Sequence, residues 1–154
     1  MNVTHAWTER TALIAVRGLR RPVRVLHSTD VHLSYIDERD ADRIEEVRSC
    51  WGEAQDESVR HPFEELMGGA SRMGLDLIVL TGDMISYPSQ ANVERLHKAV
   101  LQAGVPILYT SGNHDWQFPG VPGGAESRES WWAAPRHTTI MSNTQHSRPL
   151  QEVK

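Results

Sequence analysis

The segment "LDLIVLTG", Leu75–Gly82, contains four apolar residues in a row, at 77–80, rather than apolar residues at alternate positions. Two further short runs are also rich in β-branched residues and leucine, "VRVLHS" at Val23–Ser28 and "VPILYTSG" at Val105–Gly112. Short continuous runs of branched aliphatic residues are typical of strands that are covered on both faces, as in a sheet sandwiched between helices. The sequence therefore predicts a buried sheet built from these runs.

The chain between these runs changes to a helical period. Apolar side chains recur every three or four residues over 63–73, and Pro62 precedes them at a position suited to a first helical turn. A second stripe of this kind runs through 93–103 and ends at Gly104, a typical helix stop signal. These two segments are predicted to be helices.

Two weaker signals complete the pattern. A looser apolar stripe indicates a further helix within Asp37–Trp51, and "TALIAVRG" at Thr11–Gly18 is a candidate extra strand. Strands that alternate with helices imply parallel pairing through right-handed crossovers. We therefore predict an α/β fold in one domain over residues 1–154, with a βαβαβ core at 22–115 and a loop-rich, weakly patterned segment at 116–154.

Length and composition set outer bounds on function. The chain has 154 residues, 39% of them hydrophobic and 23% charged, which suits a single globular domain. A formal net charge of -4 gives no reason to expect a nucleic acid or an anionic membrane as partner. The single cysteine, Cys50, and the lack of a long apolar segment near the N-terminus predict a cytoplasmic location.

Chemically distinctive residues follow each of the three apolar runs. The runs continue as "STDVH", "LTGD" and "TSGNHD", and ligands of open α/β sheets bind at the carboxyl ends of the strands. We therefore expect one shared rim to collect the following side chains: Asp30, His32, Asp83, Asn113 and His114.

The first of these ends carries a carboxylate and an imidazole. Asp30 and His32 are two residues apart on what the pattern predicts to be an extended segment, so both side chains should lean the same way. Carboxylate with imidazole is a ligand pair suited to zinc, manganese or iron. Taken singly, Asp30 or Asp83 is better explained as a helix N-cap, and Asn113 as a turn residue. The joint pattern at three strand ends favours a metal site.

The motifs "DVH", "LTGD" and "SGNHD" resemble the first three sequence blocks of the calcineurin-like metallophosphoesterase superfamily, over Val23–Asp115. The second block continues as "GDMIS" and not as the D-R-G of the protein serine/threonine phosphatases, which is similar to the phosphodiesterase-like branch. The resemblance implies the N-terminal half of that family's αββα sandwich, with mainly parallel strands and flanking helices.

The resemblance also implies a set of metal ligands. Asp30 and His32 would bind one divalent ion, Asp83 would bridge two ions, and Asn113 would bind the second. The ions expected are manganese, iron or zinc. Such a site hydrolyses phosphoric esters, mono- or diesters, through a metal-activated hydroxide.

Two residues of the third motif have catalytic counterparts in the family. His114 would protonate the leaving oxygen or stabilise the phosphoryl group, and Asp115 would orient the His114 imidazole. The substrate implied is a small phosphate ester or a nucleotide.

The sequence departs from the family pattern after the third motif. The later histidine and the G-H-x-H block of the family are not found, and His137 and His146 are interpreted as loop histidines. The second ion would keep only two of its ligands, so we expect a truncated member of the family. Four aromatic residues would then form an exposed patch that favours self-association: Trp116, Phe118, Trp131 and Trp132.

Two other functions fit parts of the sequence. A non-catalytic interaction scaffold with the same fold, or an inactive fragment, is the alternative if the ligand set is too sparse for turnover. A Rossmann-type nucleotide binder also matches the βαβ pattern, but no strand end carries a G-x-G-x-x-G or a G-x-x-x-x-G-K-[ST] motif. Metal-dependent hydrolysis is therefore the leading hypothesis.

Overall fold

The computed structural model describes residues 18–118 of the chain. Several sequence predictions lie outside this range: the candidate strand at Thr11–Gly18 except for its last residue, the segment from 119 onward, Trp131, Trp132, His137 and His146. No helix in the described part has the length and apolar character needed to cross a membrane.

Three parallel strands form the sheet, in the order β1-β2-β3. Strand β1 is Val25–Ser28, β2 is Leu77–Thr81 and β3 is Ile107–Thr110. All three predicted strands are present, each slightly shorter than its apolar run. The α/β class with parallel strands and flanking helices is confirmed.

All three predicted helices are present, but the stripe at 63–73 forms an α-helix only as far as Gly69 and then a 3-10 helix at Ala70–Arg72. Helix α1 is Ile44–Trp51 and follows a 3-10 helix at Glu38–Arg43. Helix α2 is Pro62–Gly69, with proline in its first turn. Helix α3 is Gln90–Ala103, and the next residue takes the left-handed conformation at φ 61° that glycine adopts without strain.

Helices α2 and α3 pack against one face of the sheet. Ile78, Leu80 and Ile107 point into this layer and are buried. They meet Phe63 of α2 and Leu96 of α3, both fully buried. The helical stripes predicted from the sequence therefore lie on the core side.

The opposite face of the sheet is open within the described residues. Val25 is 50% exposed and Leu108 is 46% exposed, although both lie in strands. Burial alternates along β2, with Ile78 and Leu80 buried and their neighbours partly exposed. The prediction that both faces are covered is therefore wrong for residues 18–118. Aliphatic side chains at consecutive positions did not reveal which face is covered.

A second small core lies beside the loops that follow β1 and β2. Val47 of α1, Tyr87 and Phe118 are all buried there, and the Arg43 guanidinium lies 5.5 Å from the centre of the Phe118 ring. The prediction that Phe118 belongs to an exposed aromatic patch is therefore wrong, because α1 and Tyr87 enclose it. Trp116 is partly buried.

A buried asparagine holds these two loops over α3. Asn92 lies in the first turn of α3; its Oδ1 accepts from the Tyr35 N–H at 2.7 Å, and its Nδ2 donates to the Tyr87 carbonyl at 2.8 Å. Both loops are therefore anchored to the helix through hydrogen bonds to a fully buried side chain, where an unpaired polar group is costly. This anchoring sets the height of the loops above the sheet.

Candidate metal centre

The loops that follow β1 and β2 continue side by side beyond the strands. The Asp30 N–H donates to the Gly82 carbonyl at 3.1 Å, and the His32 N–H donates to the Asp83 carbonyl at 3.0 Å. A bridge between Leu33 and Ile85 extends this pairing. The backbone therefore brings Asp30, His32 and Asp83 together without help from their side chains.

These three residues share an unusual backbone conformation. Asp30, His32 and Asp83 each have φ 52°, in the left-handed region that residues with a β-carbon seldom occupy. Each such residue costs on the order of 1 kcal/mol or more and is found mostly at functional sites. The expectation that Asp30 and His32 lie on an extended segment is therefore wrong, and their approach comes from this paired, strained loop.

The three side chains can reach one point. Each of Asp30, His32 and Asp83 has one ligand atom that lies within 4.8 Å of those of the other two. The His32 Nε2 is 4.0 Å from the Asp30 Oδ1, and the His32 Nδ1 is buried with no hydrogen-bond partner among the described residues. Two carboxylates and an imidazole with an unpaired nitrogen are a donor set that fits a divalent transition metal.

The environment keeps the His32 ring neutral. Burial, and next the neighbouring His114, lower the pKa of His32, and together they outweigh the opposing effect of Asp83 and Asp30. A histidine must lose its proton to offer a nitrogen lone pair to a metal. The ring is therefore in its ligand form at neutral pH.

The loop after β3 meets Asp83 from the other side. The His114 N–H donates to the Asp83 Oδ1 at 3.1 Å. A β-carbon on Gly112 would overlap that carboxylate and would lie 2.7 Å from the Asp83 backbone nitrogen. The "GNHD" loop therefore fixes the position of Asp83 through direct contact.

The His114 ring has a defined orientation. Its Nδ1 is 3.0 Å from the Ser86 carbonyl oxygen, and because a carbonyl only accepts, Nδ1 carries the hydrogen of this bond. The Nε2 atom is then the one that can release or take up a proton. The ring lies 4.9 Å from the His32 ring and 4.8 Å from the Trp51 ring, nearly perpendicular to both.

Asp115 makes contacts other than the one predicted for it. Its Oδ1 accepts from the backbone N–H groups of Met84 and Ile85 at 2.8 and 3.1 Å, and its Oδ2 accepts from Gly112 at 2.8 Å. The polar contact of the His114 ring is with Ser86. Asp115 therefore joins the loops after β2 and β3, and its predicted role in orienting the His114 ring stays a prediction.

The Asp115 carboxylate is fully buried. Burial raises the pKa of Asp115, and the N–H groups of Gly112 and Ile85 offset part of this rise. A buried carboxylate that accepts several backbone N–H groups is held firmly in place. The bond to the Gly112 N–H fixes the backbone two residues before His114.

Asn113 is exposed and lines a cavity beside His114. Its predicted role as a ligand of a second ion stays a prediction. The cavity also includes Trp51 and Gln117, which the sequence reading had not assigned to the site. In the sequence, Trp51 only ends the predicted helix at Asp37–Trp51, and no pattern points to Ser86.

Comparison with known proteins gives matches in sequence but none among solved structures. The family model described as calcineurin-like phosphoesterase matches residues 23–145. A probable cyclic nucleotide phosphodiesterase of Psychrobacter arcticus is 30% identical over 96 residues, which cover 60% of this chain and 31% of that protein. The aligned part thus spans about a third of that relative. No solved structure matches the chain.

Proposed function

Because the chain belongs to the calcineurin-like phosphoesterase family, we propose that it takes part in metal-dependent hydrolysis of a phosphodiester. The observation that carries the proposal is the grouping of Asp30, His32 and Asp83 at one edge of the sheet. The name of the Psychrobacter relative supports a cyclic nucleotide or a similar small ester as substrate. The net charge of -4 disfavours a polynucleotide.

Asp30, His32 and Asp83 would hold the first divalent ion, of manganese, iron or zinc. Asp83 would serve a second ion together with Asn113, the residue that follows Gly112 and its close contact with Asp83. When bound, divalent ions supply Lewis acidity that polarises the phosphoryl oxygens and makes water a better nucleophile. The carboxylates offset the repulsion between neighbouring cations.

His114 would supply the proton for the leaving oxygen. Its Nδ1–H bond to the Ser86 carbonyl leaves Nε2 as the atom that carries the transferable proton. A positioned acid of this kind contributes roughly 10²- to 10⁴-fold to the rate. Asp115 supports this step indirectly by holding the loop that carries His114.

Hydrolysis of adenosine 3′,5′-cyclic monophosphate with added Mn²⁺ tests the proposal, because the alkoxide that leaves from this ester needs a proton. We expect metal-dependent turnover that falls about 10²- to 10⁴-fold in His114→Ala, while calorimetric Mn²⁺ affinity stays close to that of the parent chain. His27→Asn is the matched control, because His27 is exposed on β1 and its Nε2 contacts Thr81. Turnover that survives both metal chelation and His114→Ala would contradict the proposal.

The alternative is a non-catalytic interaction scaffold. It is favoured if the chain shows neither turnover nor stoichiometric metal binding. The predicted cytoplasmic location and self-association stay predictions, and size-exclusion chromatography over a range of concentrations tests the latter.

A further inference from the structure

A cavity of about 220 Å³ adjoins the candidate metal centre. It is lined by Cys50, Trp51, Asn113, His114, Gln117 and Phe118. Pockets for drug-sized ligands run from about 300 to 1,000 Å³, so this one suits a single ring system and not a whole nucleotide.

Among residues 18–118, no residue that lines the cavity carries a permanent charge. None of its six residues is Lys, Arg, Asp or Glu, so the cavity offers little to a phosphate group. Asn113 and Gln117 contribute amides, which carry both donors and acceptors. An uncharged ring with hydrogen-bonding edges is the ligand that matches this lining.

Trp51 supplies the aromatic surface. It is the last residue of α1 and keeps 44% of its surface exposed. Its ring centre lies 4.8 Å from that of His114 and 6.1 Å from that of His32, inclined 30° to the latter. The indole is therefore held in place by the site while much of it stays open.

The end of α1 sets this position. Gly52 has φ 80° and its N–H donates to the Arg48 carbonyl, so the helix stops directly after Trp51. Val47, one turn earlier, is buried against Tyr87 and Phe118. This packing docks the C-terminal turn of α1 beside the loop that carries His114.

We propose that this cavity binds the planar base of a nucleotide phosphodiester, stacked on Trp51, while the ester lies at His114. The position of the ester at His114 rests on the proposed function, and the inference adds a subsite for the base. Base–aromatic stacking is a sequence-tolerant interaction, and its loss weakens binding by about 5- to 100-fold. Trp51 is thus the residue that favours nucleotides over aliphatic phosphate esters.

The first test compares two phosphate ligands by calorimetry with Mn²⁺ present. We expect the chain to bind adenosine 5′-monophosphate more tightly than ribose 5-phosphate. Trp51→Leu should weaken the affinity for adenosine 5′-monophosphate by about 5- to 100-fold and leave the affinity for ribose 5-phosphate unchanged. Trp51→Phe should retain most of the affinity for the nucleotide. Leu101→Ala, an exposed position on α3, is the control.

The second test needs neither metal nor turnover. Cys50 is the only cysteine of the chain, is exposed, and lines the cavity. Adenosine should slow its reaction with a chromogenic disulfide reagent several-fold, ribose should not, and Trp51→Leu should abolish the protection.

The two tests separate the two proposals. Protection by adenosine in a chain that hydrolyses no ester supports the base subsite and overturns only the proposed function. A chain that hydrolyses phosphodiesters without such protection overturns the base subsite alone. Equal weakening of both phosphate ligands by Trp51→Leu also overturns it, because Trp51 would then act by positioning the metal site.

Discussion

A β-carbon on Gly82 would lie 2.6 Å from the backbone nitrogen of Gly112. The loops after β2 and β3 therefore touch backbone to backbone at this pair, and Gly82 itself has φ 93°. Asp83 directly follows Gly82, and Gly112 is the first residue of the "GNHD" turn. This contact therefore sets the distance between Asp83 and that turn.

Gly82→Ala should push the loops apart. We expect Mn²⁺ affinity to fall about 10- to 100-fold, as for other residues that support metal ligands, and the free energy of unfolding to fall by about 1–3 kcal/mol. Calorimetry and urea unfolding measure the two effects. Gly68→Ala is the control, since a β-carbon there meets nothing within 4 Å. Unchanged Mn²⁺ affinity in Gly82→Ala would contradict the importance of this contact.

Asp115→Asn should loosen the same junction. The Asp115 carboxylate accepts hydrogen bonds from the backbone N–H groups of Gly112, Met84 and Ile85. An amide keeps one acceptor oxygen, but its NH2 group would face at least one of these N–H donors. We expect a loss of about 1–3 kcal/mol in the free energy of unfolding. The Asp42 side chain is 80% exposed, so the control Asp42→Asn should change the free energy of unfolding little. An unchanged free energy of unfolding in Asp115→Asn would contradict the role of Asp115 in joining the two loops.

The ion pair between helices α2 and α3 should make stability depend on pH. Burial raises the pKa of Glu64, but the hydrogen bonds from Arg95 and from the His61 N–H outweigh it, so the pKa is lowered. The lowered pKa of Glu64 stabilises the folded state at pH values above about 4.5, the usual pKa of a glutamate. This stabilisation is lost as the pH falls through the pKa that Glu64 has in the folded state.

Glu64→Gln should therefore destabilise the chain most at neutral pH, by about 1–3 kcal/mol, and the difference from the parent should shrink toward pH 3. Urea unfolding at pH 3 to 7 measures it. Glu65→Gln, at the exposed neighbouring position, is the control. A pH-independent difference would show that the charge of Glu64 contributes nothing.

Neighbouring positions of β3 should respond differently to truncation. Ile107 is 7% exposed and Leu108 is 46% exposed. We expect Ile107→Ala to cost about 2–5 kcal/mol of unfolding free energy and Leu108→Ala to cost well under half as much. Equal losses would show that the outer face of the sheet is also covered.

Much of the fold was predictable because its signals are local. The apolar runs matched β1–β3, Pro62 marked the start of α2, and Gly104 marked the end of α3. Coverage of the sheet was not predictable, since consecutive aliphatic residues look the same whether one face is packed or two. The enclosure of Phe118 depends on Val47 and Tyr87, which lie far from it in sequence.

For the site, the sequence by itself determined the chemistry: which strand ends carry carboxylate, imidazole and amide, and in what order. This follows because parallel strands deliver their carboxyl ends to one edge. Only the tertiary structure decided that His114 is held by the Ser86 carbonyl, that Asp115 joins two loops, and that Trp51 of α1 reaches the site. Such contacts join residues distant in the chain, and packing geometry, which no local pattern encodes, selects them.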